Sequence, residues 1–417
     1  MKTILACVLL ALSVLLTFNS CDKSTVDKEP ELTAPVKIEL RGAEASMVES
    51  DQLFAFEFFS KVFDEERNDK DENFMVSPFS LSMALAMTWN GSAGDTKLAM
   101  QNTLGMGNWK DDEVNNYFRK LKDAFEKTDP STKLAIANSI WTNKNVKIQP
   151  EFISLNETFY NATVEAVDFG SPATVDRINK WAADNTNNLI KEVLDKTKPS
   201  DLMYLLNALY FKGIWVSEFD AKTTSKVDFI EQNGKKTRVD MMHQEANFSY
   251  TDDEIMQVVE LPYGNKAFSM MVLLPKADKE VADVIKAFQN DTYWASIKNK
   301  MSNQNIELSL PKFKIEYSKK LNKVLSDMGM EIAFTPGKAD FSRMTDREAY
   351  ISFVTQDTYI ATDEVGTEAA AVTVVGVVET SSPISEIVVF KASRPFIYII
   401  QENSTGTILF MGTVKRF

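Results

Sequence analysis

The chain has 417 residues, 44% of them hydrophobic and 25% charged, with a net charge of −13 and one histidine. That composition excludes a disordered polymer and supplies apolar material for a large core, while the acidic balance argues against binding to nucleic acid or other polyanions, which needs clustered Lys and Arg. The only two cysteines, Cys7 and Cys21, sit at the start, so the rest of the chain has neither an internal disulfide nor a cysteine metal site.

In chain order, the first predicted element is an export signal over residues 1–20. It has a basic start at Lys2 and an apolar run from Ile4 to Phe18, about 15 residues, short of the roughly 20 that span a bilayer as a helix. Cys21 resembles the lipid-attachment cysteine of bacterial lipoproteins, although Phe18 and Asn19 fit the preceding motif poorly. Cys7 competes for that role but has only six residues upstream, and cleavage without lipid is the other outcome. Residues 21–47, with Pro30, Pro35 and alternating charges, read as a polar tether. From residue 48 to 417 no linker or repeat marks a boundary, and one large domain is predicted.

Within it, Ala55, Phe58, Phe59 and Val62 have helical spacing, as do Leu321, Val324, Leu325 and Met328, with Gly329 placed to end the second helix. Leu202–Phe211 and Phe268–Leu274 read as strands buried on both faces, and Glu307–Leu310 alternates before Pro311. Asn207 interrupts the first run, and a buried amide there needs a partner or costs about 1–3 kcal/mol. The last distinctive segment is EVGTEAAAVTVVGVVETSS, residues 364–382. Thr367, Ala369, Ala371, Thr373, Val375 and Val377 share one side of an extended chain and are small or apolar, Glu368 lies on the other side, and Gly366 offers the backbone freedom of a hinge. Locally this is either an ordinary strand with a glycine bulge or a strand that forms conditionally.

The hinge Glu364, Gly366, Thr367, Glu368, Ala369, Ala370, Ala371 resembles the reactive-centre loop of the serpins. Further serpin-like segments follow the family's order: FMVSPFSLSMALAMTWNGSAGDT at 74–96, NSIW at 138–141, INKWAADNTNNLI at 178–190, LLNALYFKGIW at 205–215, VVELPYG at 258–264, LPKF at 310–313, ADFSRM at 339–344, RPFIYII at 394–400 and ILFMGTV at 408–414. The resemblance covers roughly residues 48–417. It implies an α+β fold in which a large mixed sheet A and two smaller sheets are surrounded by about eight or nine helices. It also implies a metastable native state in which the loop is exposed and sheet A lacks the strand the loop could supply. In the family the asparagine matching Asn207 meets a histidine on the neighbouring strand; here Gln356 takes that place, and Ser77 and Ser80 would lie beneath the same opening.

The implied activity is suicide inhibition of a protease, in which the cut loop inserts into sheet A before the acyl-enzyme hydrolyses. Counting the family's usual spacing, about 17 residues from Glu364, places the scissile bond at Thr380–Ser381, with Val378 and Glu379 as alternatives. No basic or aromatic residue occurs between Val365 and Ile387, which favours an elastase-like or subtilisin-like serine protease; a papain-like cysteine protease reading Val378 is the second class. A monomer in the cell envelope is expected, attached to membrane only through the N-terminal lipid.

The rival reading is a non-inhibitory binding or scaffold lipoprotein on the same fold. An enzyme has no positive support: His243 is the sole histidine, no nucleophile elbow, phosphate loop or dinucleotide fingerprint occurs, and no metal or cofactor is expected. A carboxylate-only hydrolase would be the remaining enzymatic class.

Overall fold

The computed structural model describes residues 34–69, 72–367 and 387–417. The elements in order are α1 Glu44–Asp69, β1 Phe74–Val76, α2 Pro78–Trp89, α3 Gly94–Thr103, α4 Asp111–Phe125, β2 Lys133–Asn143, α5 Pro150–Tyr160, β3 Thr163–Val167, α6 Pro172–Asn185, β4 Met203–Ile214, β5 Ser225–Ile230 and β6 Lys236–Asp252. They continue with β7 Met256–Tyr263, β8 Phe268–Pro275, α7 Val281–Ala287, α8 Tyr293–Lys300, β9 Ser302–Pro311, β10 Phe313–Lys320, α9 Asn322–Leu325, β11 Phe353–Thr362, β12 Gly366–Thr367, β13 Val388–Lys391, β14 Phe396–Glu402 and β15 Ile408–Val414.

Two sheets organise these elements. A six-stranded mixed sheet runs β10-β11-β12-β4-β2-β3, and a nine-stranded sheet runs β1-β15-β14-β8-β7-β6-β9-β13 with β5 on β6. The two smaller sheets expected from the sequence are continuous here because β6 is long. Its first residues, Lys236–Met241, pair with β5, its last, Ser249–Asp252, pair with β7, and β9 runs along Met241–Tyr250. Strands β8, β14 and β15 are apolar runs buried along their whole length, as strands covered on both faces must be.

Pro78 opens α2, where its missing N–H costs nothing, and all 12 residues of this helix are buried. In α1 the predicted apolar face holds, with Ala55, Phe58, Phe59 and Val62 fully buried. The helix predicted from Leu321 continues past α9 as a wider turn through Met330 and breaks at Gly329, whose φ of +110° is open to glycine. One boundary differs from the sequence reading. The tether was expected to reach residue 47, but α1 starts at Glu44, Ile38 is buried, and its amide donates to Ser404 Oγ at 3.0 Å. A buried branched side chain and a main-chain amide bonded to a serine hydroxyl hold this stretch to the body. Among the described residues no helix is long and apolar enough to cross a membrane.

Candidate functional site

The centre of the six-stranded sheet is a seam between two parallel strands. Phe353–Thr358 of β11 pair with Tyr204–Leu209 of β4, and β2 continues the sheet antiparallel on the far side of β4. Because side chains alternate along a strand, register partners share a face. Gln356, Asn207 and Asn138 are such partners, so three amides stand in a row across three strands.

The row points at the start of α2. Gln356 Oε1 accepts from the Ser77 amide at 2.8 Å, and Gln356 Nε2 donates to Ser77 O at 2.8 Å and to Asn207 Oδ1 at 3.0 Å. Asn207 Nδ2 in turn donates to Asn138 Oδ1 at 2.7 Å and to the Ser80 hydroxyl. The structure therefore brings Ser77, Ser80, Asn207 and Gln356 together in one buried network; Asn138, which sequence reasoning did not single out, completes it. Ser77 takes part through its main chain, while its hydroxyl donates to Leu409 O at 2.7 Å. Next to Gln356, Asp357 faces Thr355 and Ser318, and burial pushes its carboxyl up to about 6, only partly offset by those two hydroxyls.

At the other end of the seam the hinge is already inside the sheet. Strand β12 lies between β11 and β4, antiparallel to both, with Thr367 opposite Thr362 on one side and Gly213 on the other. Two residues of the hinge are thus seated in the sheet, and Thr367 is fully buried. The reversal into β12 is an aspartate turn, in which Asp363 Oδ1 accepts from the amides of Val365 and Gly366 at 2.9 and 3.2 Å. Trp215 seals the turn: its amide donates to Val365 O at 2.8 Å and its indole to Asp363 O at 3.0 Å.

Glycine is needed at 366 for space, not for an unusual φ as the sequence suggested. Gly366 is absent from the positive-φ glycines, but a Cβ there would overlap the carbonyl of Gly213 and lie 2.9 Å from Ile214 Cα. Gly213 is itself pressed on Tyr263, whose ring stacks on Trp215 with centroids 4.3 Å apart. The Tyr263 and Thr367 hydroxyls share a 2.6 Å hydrogen bond, and burial holds the Tyr263 phenol well above its ordinary range, hence neutral.

Glu364 is clamped beside this turn, with Lys312 Nζ at 2.6 Å and Thr224 Oγ1 donating at 2.8 Å. Burial alone would raise its carboxyl, but Lys312 and Thr224 together hold it below the ordinary value. Of the other residues singled out from the sequence, Cys21 and Glu368, Ala369, Ala370, Ala371, Val378, Glu379, Thr380 and Ser381 lie outside the described residues.

His243 lies on β6 between two hydroxyls, Nδ1 2.9 Å from Ser309 Oγ and Nε2 3.2 Å from Ser225 Oγ. With a serine on each nitrogen, neither is left for the carboxylate that a hydrolytic triad requires. Among the described residues no group of His, Cys, Asp and Glu is placed to hold a metal.

Sequence reasoning missed Tyr263, Gly213 and Trp215 as hinge partners. Each stands inside a serpin-like segment, LYFKGIW at 209–215 or LPYG at 261–264, and a glycine closing a long apolar strand is the signal that another backbone comes close there.

Residues 49–416 match the model of the family described as serpin, serine protease inhibitor. Human Serpin B8 is 35% identical over 88% of this chain and 98% of its own length, and a serpin-like protein of Methanosarcina acetivorans is 32% identical over 98% and 95%. The crystal structure of a thermophilic serpin, tengpin, in the native state superposes with a TM-score of 0.82 at 31% identity, covering 92% of this chain and 98% of that one. With a match along its folded length and the same architecture, the chain belongs to the serpin family, whose members are generally protease inhibitors rather than catalysts.

Proposed function

We propose that this protein inhibits a serine protease of elastase-like or subtilisin-like specificity as a suicide substrate. The protease's serine attacks the carbonyl of Thr380, or of Val378 or Glu379. An ester forms, the peptide bond breaks, and the following residue leaves as a new amino terminus. The freed loop then extends β12 between β11 and β4, carrying the ester-linked protease along the sheet and drawing its oxyanion donors and base out of register with the ester. A papain-like protease would be held through the analogous thioester.

The observation that carries this reading is β12: two hinge residues already occupy the gap between parallel strands, in the antiparallel sense that further insertion would continue. The small side chains after Thr367 support it, since each alternate one must enter a packed interior. We further propose that residues 1–20 export the chain and that Cys21 carries a lipid anchoring residues 48–417 in a bacterial cell envelope.

The test is to mix the protein with pancreatic elastase and with subtilisin, run denaturing gels and sequence any released C-terminal fragment. A denaturant-resistant adduct with a new N-terminus at or near Ser381 is expected. Cleavage there without an adduct, across a wider protease panel too, would leave the non-inhibitory reading in its place.

A further inference from the structure

A cavity of about 400 Å³ lies at the end of the β4–β11 seam remote from the hinge, under the connection from α6 to β4. Its floor is the terminal pair of the parallel ladder, Tyr204 of β4 and Phe353 of β11, register partners with ring centroids 5.4 Å apart. Val193 and Leu194 add apolar wall.

The rim carries both signs of charge. Lys196, Lys198 and Lys320 face it together with Glu192 and Asp195, and none of these five forms an ion pair among the described residues. Asp201 is already engaged, accepting from the Tyr204 hydroxyl and the Lys198 amide. Lys320 Nζ stands 5.5 Å from the Phe353 ring centroid. A cavity of this size with an aromatic floor and unpaired charges of both signs has the features of a small-ligand site.

We propose that this cavity binds a small aromatic zwitterion, such as a short aromatic peptide with free termini. One ring would lie against Phe353 and the edge of Tyr204, which is otherwise packed on Phe169, with the carboxylate among the lysines and the ammonium against Glu192 and Asp195. Since Tyr204 and Phe353 belong to the two strands that must part, a ligand touching both binds the closed sheet more tightly than the opened one, and its occupancy opposes complete insertion. This coupling rests on the insertion mechanism proposed above; the site itself does not.

The full chain is titrated calorimetrically with L-phenylalanyl-L-phenylalanine and with the same dipeptide capped at both ends. Saturable binding of the free dipeptide is expected, at least about tenfold weaker for the capped form and for Lys320→Glu, an exposed position whose fold is checked by circular dichroism. No saturation, or equal binding by the capped form and the variant, overturns the site. The titration is then repeated on loop-cleaved protein. A rise in Tm with at least about tenfold weaker binding supports the coupling; a rise in Tm with unchanged binding overturns it. An unchanged Tm after cleavage overturns the insertion mechanism, with the site judged by the first titration alone.

Discussion

Gly366→Ala isolates what holds the hinge in the sheet. The added methyl would overlap the Gly213 carbonyl and lie 2.9 Å from Ile214 Cα, where ordinary contact begins near 3.4 Å; Ile214 must recede by about 0.5 Å and the carbonyl by more. Both obstacles are backbone of β4, where the Ile214 carbonyl is held by the Gly264 amide at 2.8 Å, so the strain is relieved most cheaply by moving β12. Such overpacking costs about 1–3 kcal/mol. The docked hinge is held by the Tyr263–Thr367 hydrogen bond together with the Asp363 turn, the two Trp215 bonds and the Glu364 clamp, each hydrogen bond worth about 1 kcal/mol net. The strain offsets part of what holds the hinge, and the ratio of docked to undocked hinge should fall by roughly 5–150-fold. Hydrogen exchange of the peptide spanning residues 362–367 reads this directly: protection should drop there while the seam at residues 353–358 keeps its own. Unchanged protection of the hinge, with a Tm loss spread over the whole sheet, would refute the reasoning.

Tyr263→Phe removes the partner of the Thr367 hydroxyl, leaving only the 3.5 Å contact to Thr362; hinge protection should fall by about 1–2 kcal/mol with little change in the urea midpoint. Gln356→Leu orphans the Ser77 amide and Asn207 Oδ1, both buried, and should cost about 2–4 kcal/mol in urea unfolding; a loss under about 1 kcal/mol would mean the amide row does not close the seam. Asp357 has a folded pKa of about 6, above its ordinary 3.8, so the stability it contributes is full below the unfolded value and is lost as pH rises through about 6. The loss is roughly 3 kcal/mol between about pH 4 and 6, and Asp357→Asn should flatten that part of the stability profile; an identical profile in the variant would remove Asp357 as its cause.

What the sequence disclosed followed from local pattern. Asn207 was legible because an amide inside an apolar run has to be satisfied, but no local spacing encodes its partners: Asn138, Ser80 and Gln356 reach it through strand register and helix placement, Asn138 was not foreseen, and Ser80 was placed there only by the family resemblance. Gln356 was found only by its place in a family segment. The hinge composition suggested a strand that could enter a sheet, yet the starting point of that entry depends on Gly213, 153 positions away from Gly366, and on a tyrosine from another sheet. The continuity of the nine-stranded sheet was hidden for the same reason: the length of β6 is local, but its change of partners is not.

The chemistry of the seam bears on how cheaply it opens. An apolar seam, once parted, would expose area at about 25 cal/mol per Å² that an entering strand of small residues could not fully cover again. Amides behave differently. Gln356 and Asn207 can exchange bonds with one another for bonds to other donors and acceptors, and the main-chain groups that β4 and β11 give up along Phe353–Thr358 are those an entering antiparallel strand would satisfy. If the loop inserts as proposed, the cost of opening would be concentrated before a strand enters, when the amides are orphaned, and largely returned afterwards. On the insertion mechanism proposed above, a barrier of that shape would help hold the closed sheet in place without a disulfide, and it would depend on a hinge already seated at one end, where Thr367 meets Tyr263, to begin the exchange one residue pair at a time.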